Sequence, residues 1–308
     1  MRRSALYVPA NSDRFMANSL ASEADTLIFD LQESVPADDR EKEAAREGLA
    51  EFVRLNRAHF AGRLTELTAR INVVGSPWFA ADVQMAVAAG LDGIVIPMSH
   101  SPLEVAAVAR IVDGCRRPAA GAPPRLLPLI ESIRGVANVE AILACGDLID
   151  GLLFGKEDIY IELGLPLDYS LAGLQGDIGG LHCRSRLVLA AALRGLAVLD
   201  SPSLPLRALD AVRADMNYAR RLGFAGKQCV HPTQVALANE IFAPDDAAVA
   251  EAERIVGIFH EGFAAGQTMF VVDGRMIDLP CVAHYERLLV KRTEVQRLET
   301  ARRVDLSP

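Results

Sequence analysis

Two short apolar runs near the middle of the chain are each followed by acidic residues. Residues 126–130 lead directly into Glu131, and residues 152–154 lead, after a glycine and a lysine, into Glu157 and Asp158. An unbroken apolar run is typical of a parallel strand that is covered on both faces, and the carboxyl ends of such strands carry the functional residues. Because Mg²⁺ takes one or two carboxylates together with water and substrate oxygens, we predict that Glu131 and Asp158 bind Mg²⁺. Mn²⁺, which accepts the same oxygen ligands, is the alternative.

Cationic side chains occur in or beside other predicted strands. Arg3, Arg70 and Lys227 belong to the first, third and eighth predicted strands, and Glu33 follows the second. A guanidinium fork suits a carboxylate or a developing oxyanion, and a divalent ion beside it can stabilise an enolate. We therefore predict that these three cations bind the substrate, and that Arg70 and Glu33 take part in breaking or forming a C–C bond next to a carbonyl.

Each candidate also has a structural interpretation. Arg70 could be an ion-pair partner of Glu33, and Lys227 could be a solvated loop lysine. Asp30 and Asp200 could fix loops through hydrogen bonds with backbone amides. His231 could form hydrogen bonds instead of acting as a base, and Asp278 could be a turn or helix-cap residue.

The apolar runs alternate with helix-type segments across residues 1–243. The predicted strands cover residues 5–8, 26–31, 67–73, 93–98, 126–130, 152–154, 197–199 and 226–230. Alternation of this kind predicts an α/β fold with a parallel sheet, and eight repeats favour a closed (β/α)8 TIM barrel with its active site at the carboxyl ends of the strands. Between them we expect a surface loop at residues 118–124 and a long irregular segment at residues 160–181.

Residues 244–308 form a second predicted unit, a helical extension. Helices are expected at residues 247–266 and 282–303, and the Asp273-Gly274 pair between apolar runs predicts a β-hairpin. A unit of this size is too small to bury an independent core. We therefore expect it to pack on its own barrel or on another subunit.

Composition excludes several classes of function. The chain has 308 residues, 51% of them hydrophobic, and a net charge of −8 without a basic cluster, which argues against a nucleic-acid partner. The sequence contains no run of about 20 apolar residues, so no membrane span is predicted. The five dispersed cysteines lack metal-site spacing and indicate reduced thiols in the cytoplasm. We find no G-x-S-x-G, strand-end G-x-G-x-x-G or Walker A motif, so hydrolase-triad, dinucleotide and NTPase functions have little support.

Six segments together resemble a known family. They are residues 3–10 (RSALYVPA), 29–35 (FDLQESV), 70–72 (RIN), 129–136 (LIESIRGV), 154–158 (FGKED) and 223–234 (GFAGKQCVHPTQ). In this order they are similar to the HpcH/HpaI aldolase and citrate lyase β-subunit-like superfamily. The resemblance implies a (β/α)8 barrel in trimers or hexamers, which uses Mg²⁺ to cleave or condense 2-hydroxy acids or their CoA thioesters.

The resemblance assigns roles to individual residues. It implies that Glu131 and Asp158 are metal ligands and that Arg70 binds the substrate and stabilises an oxyanion. It also implies that the segment around Arg3 and Arg14 contacts CoA. Residues 273–280 (DGRMIDLP) resemble the lid of the malyl-CoA and citramalyl-CoA lyases, in which an aspartate enters a neighbouring subunit's site as acid or base. By that resemblance Asp278 is a catalytic candidate, acting between the subunits of a homo-oligomer.

Two positions depart from the family pattern. The acidic motif is usually Asp-Leu-Glu-Asp and here reads Asp30-Leu31-Gln32-Glu33, and the fourth strand usually ends Pro-Lys but here ends Pro97-Met98. Our leading hypothesis is a Mg²⁺-dependent lyase that cleaves a 3-hydroxyacyl-CoA such as citramalyl-CoA or malyl-CoA into acetyl-CoA and a 2-oxo acid. The alternatives are a thioesterase on the same substrates, a citryl lyase, against which the lid argues, and a catalytically silent assembly subunit, which the two departures keep open.

Overall fold

A closed parallel barrel forms the larger part of the protein. The structure, a computed structural model, describes residues 1–115, 121–167, 177–206, 208–264, 266 and 269–304. The barrel strands are β1 (Ser4–Pro9), β2 (Thr26–Asp30), β3 (Glu66–Arg70), β4 (Gly93–Ile96), β5 (Arg125–Ile130), β6 (Gly151–Phe154), β7 (Ala197–Asp200) and β8 (Gly226–Cys229). Each strand pairs in parallel with the next, and β8 pairs with β1. The predicted (β/α)8 barrel is confirmed.

Helices follow the strands along the chain. They are α1 (Asp13–Ser19), α2 (Asp39–Gly62), α3 (Phe79–Ala88), α4 (Pro102–Cys115), α5 (Ile133–Leu143), α6 (Lys156–Leu163), α7 (Ile178–Ala192), α8 (Leu209–Leu222) and α9 (Pro232–Ile241). The side chains of Ser12, Asp38, Ser132 and Asp177 accept N–H bonds at the starts of α1, α2, α5 and α7. No helix in the described part of the chain is long and apolar enough to cross a membrane.

The predicted irregular segment at residues 160–181 is partly helical. Helix α6 runs to Leu163 and ends at Gly164, which has a left-handed backbone, and α7 already begins at Ile178. The sequence signals missed for α6 were the acidic first turn and the glycine that ends it. Residues 168–176 of this segment, and residues 118–120 of the predicted 118–124 loop, lie outside the described residues.

Side-chain alternation along the strands selects the residues that reach the barrel interior. A buried cluster joins six strands through Ala5, Ile28, Val95, Leu127, Leu129, Leu153 and Leu199, with Tyr7 packed against it. Successive strand side chains point to opposite faces. Leu127, Leu129 and Glu131 therefore continue one inward series, and so do Ala5 and Tyr7.

The C-terminal unit has a small core of its own. It comprises Ile241–Pro308, and the barrel unit comprises Arg2–Glu240. The C-terminal unit contains α10 (Asp246–Ala264), a hairpin of β9 (Phe270–Val272) and β10 (Arg275–Ile277), and α11 (Leu279–Val304). The predicted Asp-Gly turn is present, with φ of 50° at Asp273 and 72° at Gly274.

The expectation that this unit cannot bury a core alone is wrong. Two long helices supply enough apolar surface to cover the hairpin. The buried cluster comprises Ile255, Phe259, Val272, Ile277 and Val282.

Lys227 lies in a buried ion-pair cluster and not on the rim. Its ammonium is 2.6 Å from a carboxylate oxygen of Asp200 and 2.5 Å from one of Asp215, and Arg184 hydrogen-bonds to the same two carboxylates at 2.9 and 3.1 Å. Because strand side chains alternate and Gln228 faces the pocket, Lys227 turns outward to α7 and α8. The structure thus corrects the predicted substrate-binding position of Lys227. It also replaces the predicted loop role of Asp200 with an ion pair.

Arg3 lies at the opposite end of the barrel from the predicted rim. It immediately precedes β1, and its guanidinium forms two hydrogen bonds of 2.9 Å with Asp25, just before β2. Parallel strands all begin at the same end of a barrel, so a residue that precedes one closes the amino end. The structure corrects the predicted position of Arg3 for this reason.

The buried cluster leads to a stability prediction. Lys227→Met should lower the free energy of unfolding by about 3–5 kcal/mol, because Asp200 and Asp215 stay buried with one cation fewer. The matched control is Arg213→Ala, which breaks the exposed Arg213–Glu240 pair and should cost less than about 1 kcal/mol. Urea unfolding measures both values. Equal stability of the two variants would contradict a structural role for Lys227.

Candidate active site

A pocket of about 530 Å³ opens at the carboxyl ends of the strands. Its charged lining residues are Asp30, Glu33, Arg70, Glu131, Glu157 and Asp158. The structure thus brings together four predicted site residues: Arg70 ends β3, Glu33 and Glu131 follow β2 and β5, and Asp158 lies in α6. It adds Asp30, Tyr7 and Gln228, for which sequence reasoning gave no role at the site.

Arg70 is held by two carboxylates at the end of β3. Its Nε and Nη2 each donate to Asp30 at 2.8 Å, and Nη2 also donates to Glu33 at 3.0 Å. Although burial opposes the charge, the hydrogen bonds and charge of Asp30 raise the pKa of Arg70, so it stays cationic. The predicted Arg70–Glu33 pair is therefore present, but Asp30 is the main partner.

Asp30 also fixes the loop that follows β2, as its structural interpretation suggested. Its carboxylate accepts hydrogen bonds from the N–H groups of Gln32 and Ser34, both at 3.0 Å. Burial opposes ionisation of Asp30, but the hydrogen bonds and charge of Arg70, together with the amides of Gln32 and Ser34, outweigh it and lower the pKa. One buried carboxylate therefore sets both the position of Arg70 and the path of the loop that carries Glu33.

Glu131 is a buried carboxyl group surrounded by other acids. Its side chain accepts a hydrogen bond of 2.7 Å from the amide of Met98. Burial raises the pKa of Glu131 to about 7, and the nearby Asp158 and Glu33 contribute, while the Met98 amide and Arg70 act in the opposite direction. A carboxyl with this pKa requires a compensating positive charge to remain ionised.

Asp158 reaches Glu131 from the first turn of α6. Gly155 precedes this helix, and a Cβ at that position would lie 2.5 Å from the Cβ of Glu131. Only glycine allows α6 to begin so close to Glu131. Partial burial raises the pKa of Asp158, as does the charge of Glu33, while a hydrogen bond with the Glu131 side chain lowers it.

The paired acids fit a divalent cation of the magnesium type. In the described part of the chain, no group of three or more His, Cys, Asp or Glu side chains could hold a metal. Two adjacent carboxylates with raised pKa values are nevertheless the protein share of a Mg²⁺ site, which leaves the other positions to water and substrate oxygens. Glu131 and Asp158 are the residues that could hold the ion.

The two departures from the family pattern differ in their surroundings. Met98 has φ of 50°, a left-handed conformation that is unfavourable for methionine. This conformation accompanies the hydrogen bond from its amide to Glu131, so the backbone and not the side chain supports the site. Gln32 has a buried Oε1 without a hydrogen-bond partner among the described residues, and nothing in the structure explains its side chain.

The remaining sequence candidates lie beside the pocket or in the other unit. Arg14 is exposed on α1, and α1 borders a groove of about 440 Å³. The groove shares Tyr7, Pro9 and Val230 with the pocket. His231 borders the groove, and its Nδ1 lies 2.8 Å from the hydroxyl of Thr233, which fits a hydrogen-bonding histidine.

Asp278 belongs to the C-terminal unit and caps α11. Its side chain accepts a hydrogen bond of 3.1 Å from the amide of Cys281. Hydrogen bonding with Cys281 lowers the pKa of Asp278. This is the helix-cap role that the residue pattern alone indicated.

Comparison with known proteins identifies relatives over nearly the whole chain. The sequence profile of the HpcH/HpaI aldolase/citrate lyase family matches residues 3–232. A citrate lyase subunit beta-like protein of Deinococcus radiodurans is 31% identical, with 93% of this chain and 96% of that protein covered. Two proteins of Cereibacter sphaeroides are each 30% identical: a (3S)-malyl-CoA thioesterase (90% and 89% covered) and an L-malyl-CoA/beta-methylmalyl-CoA lyase (95% and 95%).

A solved structure extends the comparison to the fold. CitE of Mycobacterium tuberculosis, in complex with magnesium, acetoacetate and coenzyme A, superposes with a TM-score of 0.72 at 25% identity. The match covers 94% of this chain and 97% of that one. The likeness therefore includes both the barrel and most of the C-terminal unit.

The raised pKa of Glu131 predicts a pH dependence of stability. In chelator-treated protein, Glu131 keeps its proton up to about pH 7, whereas in the unfolded chain it loses it near its ordinary value of 4.5. The native state therefore binds more protons in this window, and stability falls as the pH rises through it, by on the order of 3 kcal/mol. Urea unfolding of Glu131→Gln should lack this component. Parallel pH profiles for the variant and the wild type would contradict the assignment.

Proposed function

We propose that this chain, which belongs to the HpcH/HpaI aldolase/citrate lyase family, is a Mg²⁺-dependent carbon–carbon lyase. Its substrate would be a 3-hydroxyacyl-CoA such as malyl-CoA or citramalyl-CoA, cleaved to acetyl-CoA and a 2-oxo acid or formed from them. The observation that carries the proposal is the pocket in which Glu131 and Asp158 lie together beside the buried fork of Arg70. The malyl-CoA/methylmalyl-CoA lyase among the relatives supports the substrate class.

Glu131 and Asp158 would hold the divalent ion. When bound, such an ion supplies Lewis-acid polarisation of the substrate's carboxylate and carbonyl oxygens. Mg²⁺ is supported by the magnesium in the CitE structure, and Mn²⁺ is the alternative. The pKa values of both acids are raised, so a bound cation would stabilise their ionised forms.

Arg70 would stabilise the charge that develops on the thioester oxygen. Its Nε and Nη2 are committed to Asp30 and Glu33, and among the described residues Nη1 makes no hydrogen bond. That amine group is therefore available to an oxyanion. A buried cation whose orientation is already fixed can stabilise such a charge without reorganising.

Glu33 would accept the substrate's hydroxyl proton. Its side chain is 64% exposed and borders the pocket while it contacts Arg70. Loss of that proton allows the C–C bond to break, and the electron pair passes to the thioester as an enolate. Protonation of the enolate carbon then gives acetyl-CoA.

Asp278 is the proposed acid or base at that carbon. Its lowered pKa keeps the carboxyl group ionised, the form in which it would act as a base in the condensation direction. In the cleavage direction the pKa would have to rise when the lid closes over the acidic pocket, whose charges disfavour a second anion. Exposed apolar residues on the hairpin, Val271 and Met276, support a docking surface, which we place on a neighbouring subunit of a trimer or hexamer.

The CoA portion would leave the pocket along the groove beside α1. The groove and the pocket share Tyr7, Pro9 and Val230, so one ligand can occupy both. Its apolar lining suits a pantetheine chain, and Arg14 lies exposed on α1 for a phosphate.

A thioesterase is the second candidate function. The (3S)-malyl-CoA thioesterase is as similar to this chain as the lyase is, at 30% identity. The same acids and the same arginine could instead direct water to the thioester carbonyl. Whether water enters the closed pocket separates the two reactions.

Product analysis tests the proposed function. Purified protein with Mg²⁺ and malyl-CoA or citramalyl-CoA should release acetyl-CoA together with glyoxylate or pyruvate. A thioesterase would instead release free CoA and the intact hydroxy acid. Formation of neither acetyl-CoA nor CoA would contradict both functions and favour a silent assembly subunit.

Metal binding should depend more strongly on two of the carboxylates than on the third. Loss of a residue that only supports a metal ligand weakens metal binding by roughly 10- to 100-fold. Glu131→Gln and Asp158→Asn should each weaken Mg²⁺ binding by more than this. The matched control is Glu33→Gln, which removes a nearby acid and should stay within that range. Calorimetric titration measures the affinities. Unchanged affinity in both ligand variants would rule out the assignment.

Subunit complementation tests the proposed action of Asp278 in trans. Inactive Glu131→Gln and Asp278→Asn proteins are mixed under conditions that allow subunits to exchange. Random mixing at equal amounts pairs an intact barrel with an intact lid at about one interface in four, so about a quarter of wild-type activity should return. No recovery after confirmed exchange would mean that the lid serves its own barrel or that Asp278 is not catalytic.

A further inference from the structure

Gln228 and Tyr7 form a hydrogen-bonded chain behind Arg70. The amide of Gln228 donates to the carbonyls of Phe154 at 2.8 Å and Asp200 at 3.1 Å, which are the last residues of β6 and β7. Its Oε1 accepts a hydrogen bond of 2.9 Å from the hydroxyl of Tyr7. Every polar group of the buried Gln228 side chain is therefore engaged, and the tyrosine is fixed to two strand ends.

The ring of Tyr7 in turn faces the guanidinium of Arg70. The guanidinium carbon lies 4.9 Å from the ring centre, within the range of a cation–π contact. Asp30 holds the same guanidinium in its own plane through Nε and Nη2. Arg70 is thus held along one edge by a carboxylate and also lies over an aromatic ring.

The two contacts restrict different motions. A planar fork that is held at one edge can still tilt about that edge, and a ring packed beside the guanidinium carbon opposes the tilt. The orientation matters because the oxyanion that Arg70 is proposed to meet exists only during the reaction. A donor must therefore point to that position before the charge appears.

We propose that Tyr7 and Gln228 are positioning residues that hold the plane of Arg70 so that Nη1 faces the developing oxyanion. The inference rests on the proposed function and extends it to two residues of the segments 3–10 and 223–234. Neither residue needs to contact the reacting atoms. Their effect passes through the guanidinium.

The first test separates positioning from folding. Tyr7→Leu removes the ring and should lower kcat by on the order of 2- to 30-fold, the kinetic equivalent of a cation–π contact, while KM changes by less than about twofold. Tyr7→Phe keeps the ring but loses the hydrogen bond to Gln228, so it should recover only part of the lost rate. A fall in Tm with unchanged kcat in Tyr7→Leu would overturn the proposal.

A double-mutant cycle with Arg70→Lys tests whether the effect passes through the fork. Lysine keeps the charge but lacks the planar group, so no plane remains to be oriented. Adding Tyr7→Leu to Arg70→Lys should change kcat by less than about twofold, the limit of measurable coupling. Equal losses in both backgrounds would show that Tyr7 acts independently of Arg70 and would overturn the proposal.

Tyr218 provides the matched control. Its ring lies 5.5 Å from the guanidinium carbon of Arg184 in the buried cluster behind α7 and α8. Tyr218→Leu removes an equivalent contact from a structural arginine and should lower Tm without changing kcat. A fall in kcat equal to that of Tyr7→Leu would mean that loss of any ring disturbs the barrel, which would overturn the proposal.

Oxalate binding distinguishes failure of the positioning role of Tyr7 and Gln228, which we call the relay, from failure of the proposed function. Oxalate is a dianion that can accept a hydrogen bond from Nη1 of Arg70, and calorimetry with Mg²⁺ measures its binding without turnover. In one outcome the protein lacks lyase activity and still binds oxalate. If Tyr7→Leu then lowers the oxalate affinity of the wild type but not that of Arg70→Lys, the relay stands and the proposed function is overturned. If the protein is an active lyase, and neither its oxalate affinity nor its kinetic constants change in Tyr7→Leu, the proposed function stands and the relay is overturned. Absence of both activity and Arg70-dependent oxalate binding would overturn both.

Discussion

The balance of charge around Arg70 is the constraint on which the pocket depends. This buried guanidinium hydrogen-bonds to Asp30 and Glu33, and Glu131 and Asp158 lie close enough to feel its charge. Four carboxylates around one guanidinium leave an excess of negative charge in a partly buried place, and such an excess is costly unless it is paired or neutralised. Burial is the main cause of the raised pKa of Glu131, the neighbouring acids add to it, and a bound divalent cation would offset both effects.

The second buried cluster of the barrel shows the opposite condition. Lys227 and Arg184 meet Asp200 and Asp215 at hydrogen-bonding distances, so two cations face two carboxylates. Charges matched in this way stabilise the contact between the strands and helices α7 and α8 and require no ligand. The direction of the pKa shifts of the acids separates the two clusters. Burial opposes the charge of Asp215, but Lys227 and Arg184 together lower its pKa, whereas the pKa values of Glu131 and Asp158 are raised, so their ionised forms are disfavoured.

The choice between a lyase and a thioesterase depends on water and not on the charged residues. Both proposed reactions would use the same acids and the same arginine at the carboxyl ends of β2, β3, β5 and β6. They differ in whether the pocket is closed while negative charge develops. The C-terminal unit has its own core, so its hairpin can present Asp278 as part of a stable element instead of a loose tail.

The sequence by itself determined the barrel and four residues of the pocket, because apolar runs and the residues that end them are local properties of the chain. It could not determine how those ends are oriented and paired. Arg3 was placed at the rim although it precedes its strand, and Lys227 was placed there although alternation turns it outward. Asp30 and Arg70, which are hydrogen-bonded, lie 40 positions apart in the sequence. Tyr7 and Gln228, which are also hydrogen-bonded, lie 221 positions apart. Only closure of the barrel brings such side chains into contact, since strand direction, side-chain alternation and burial are properties of the assembled sheet.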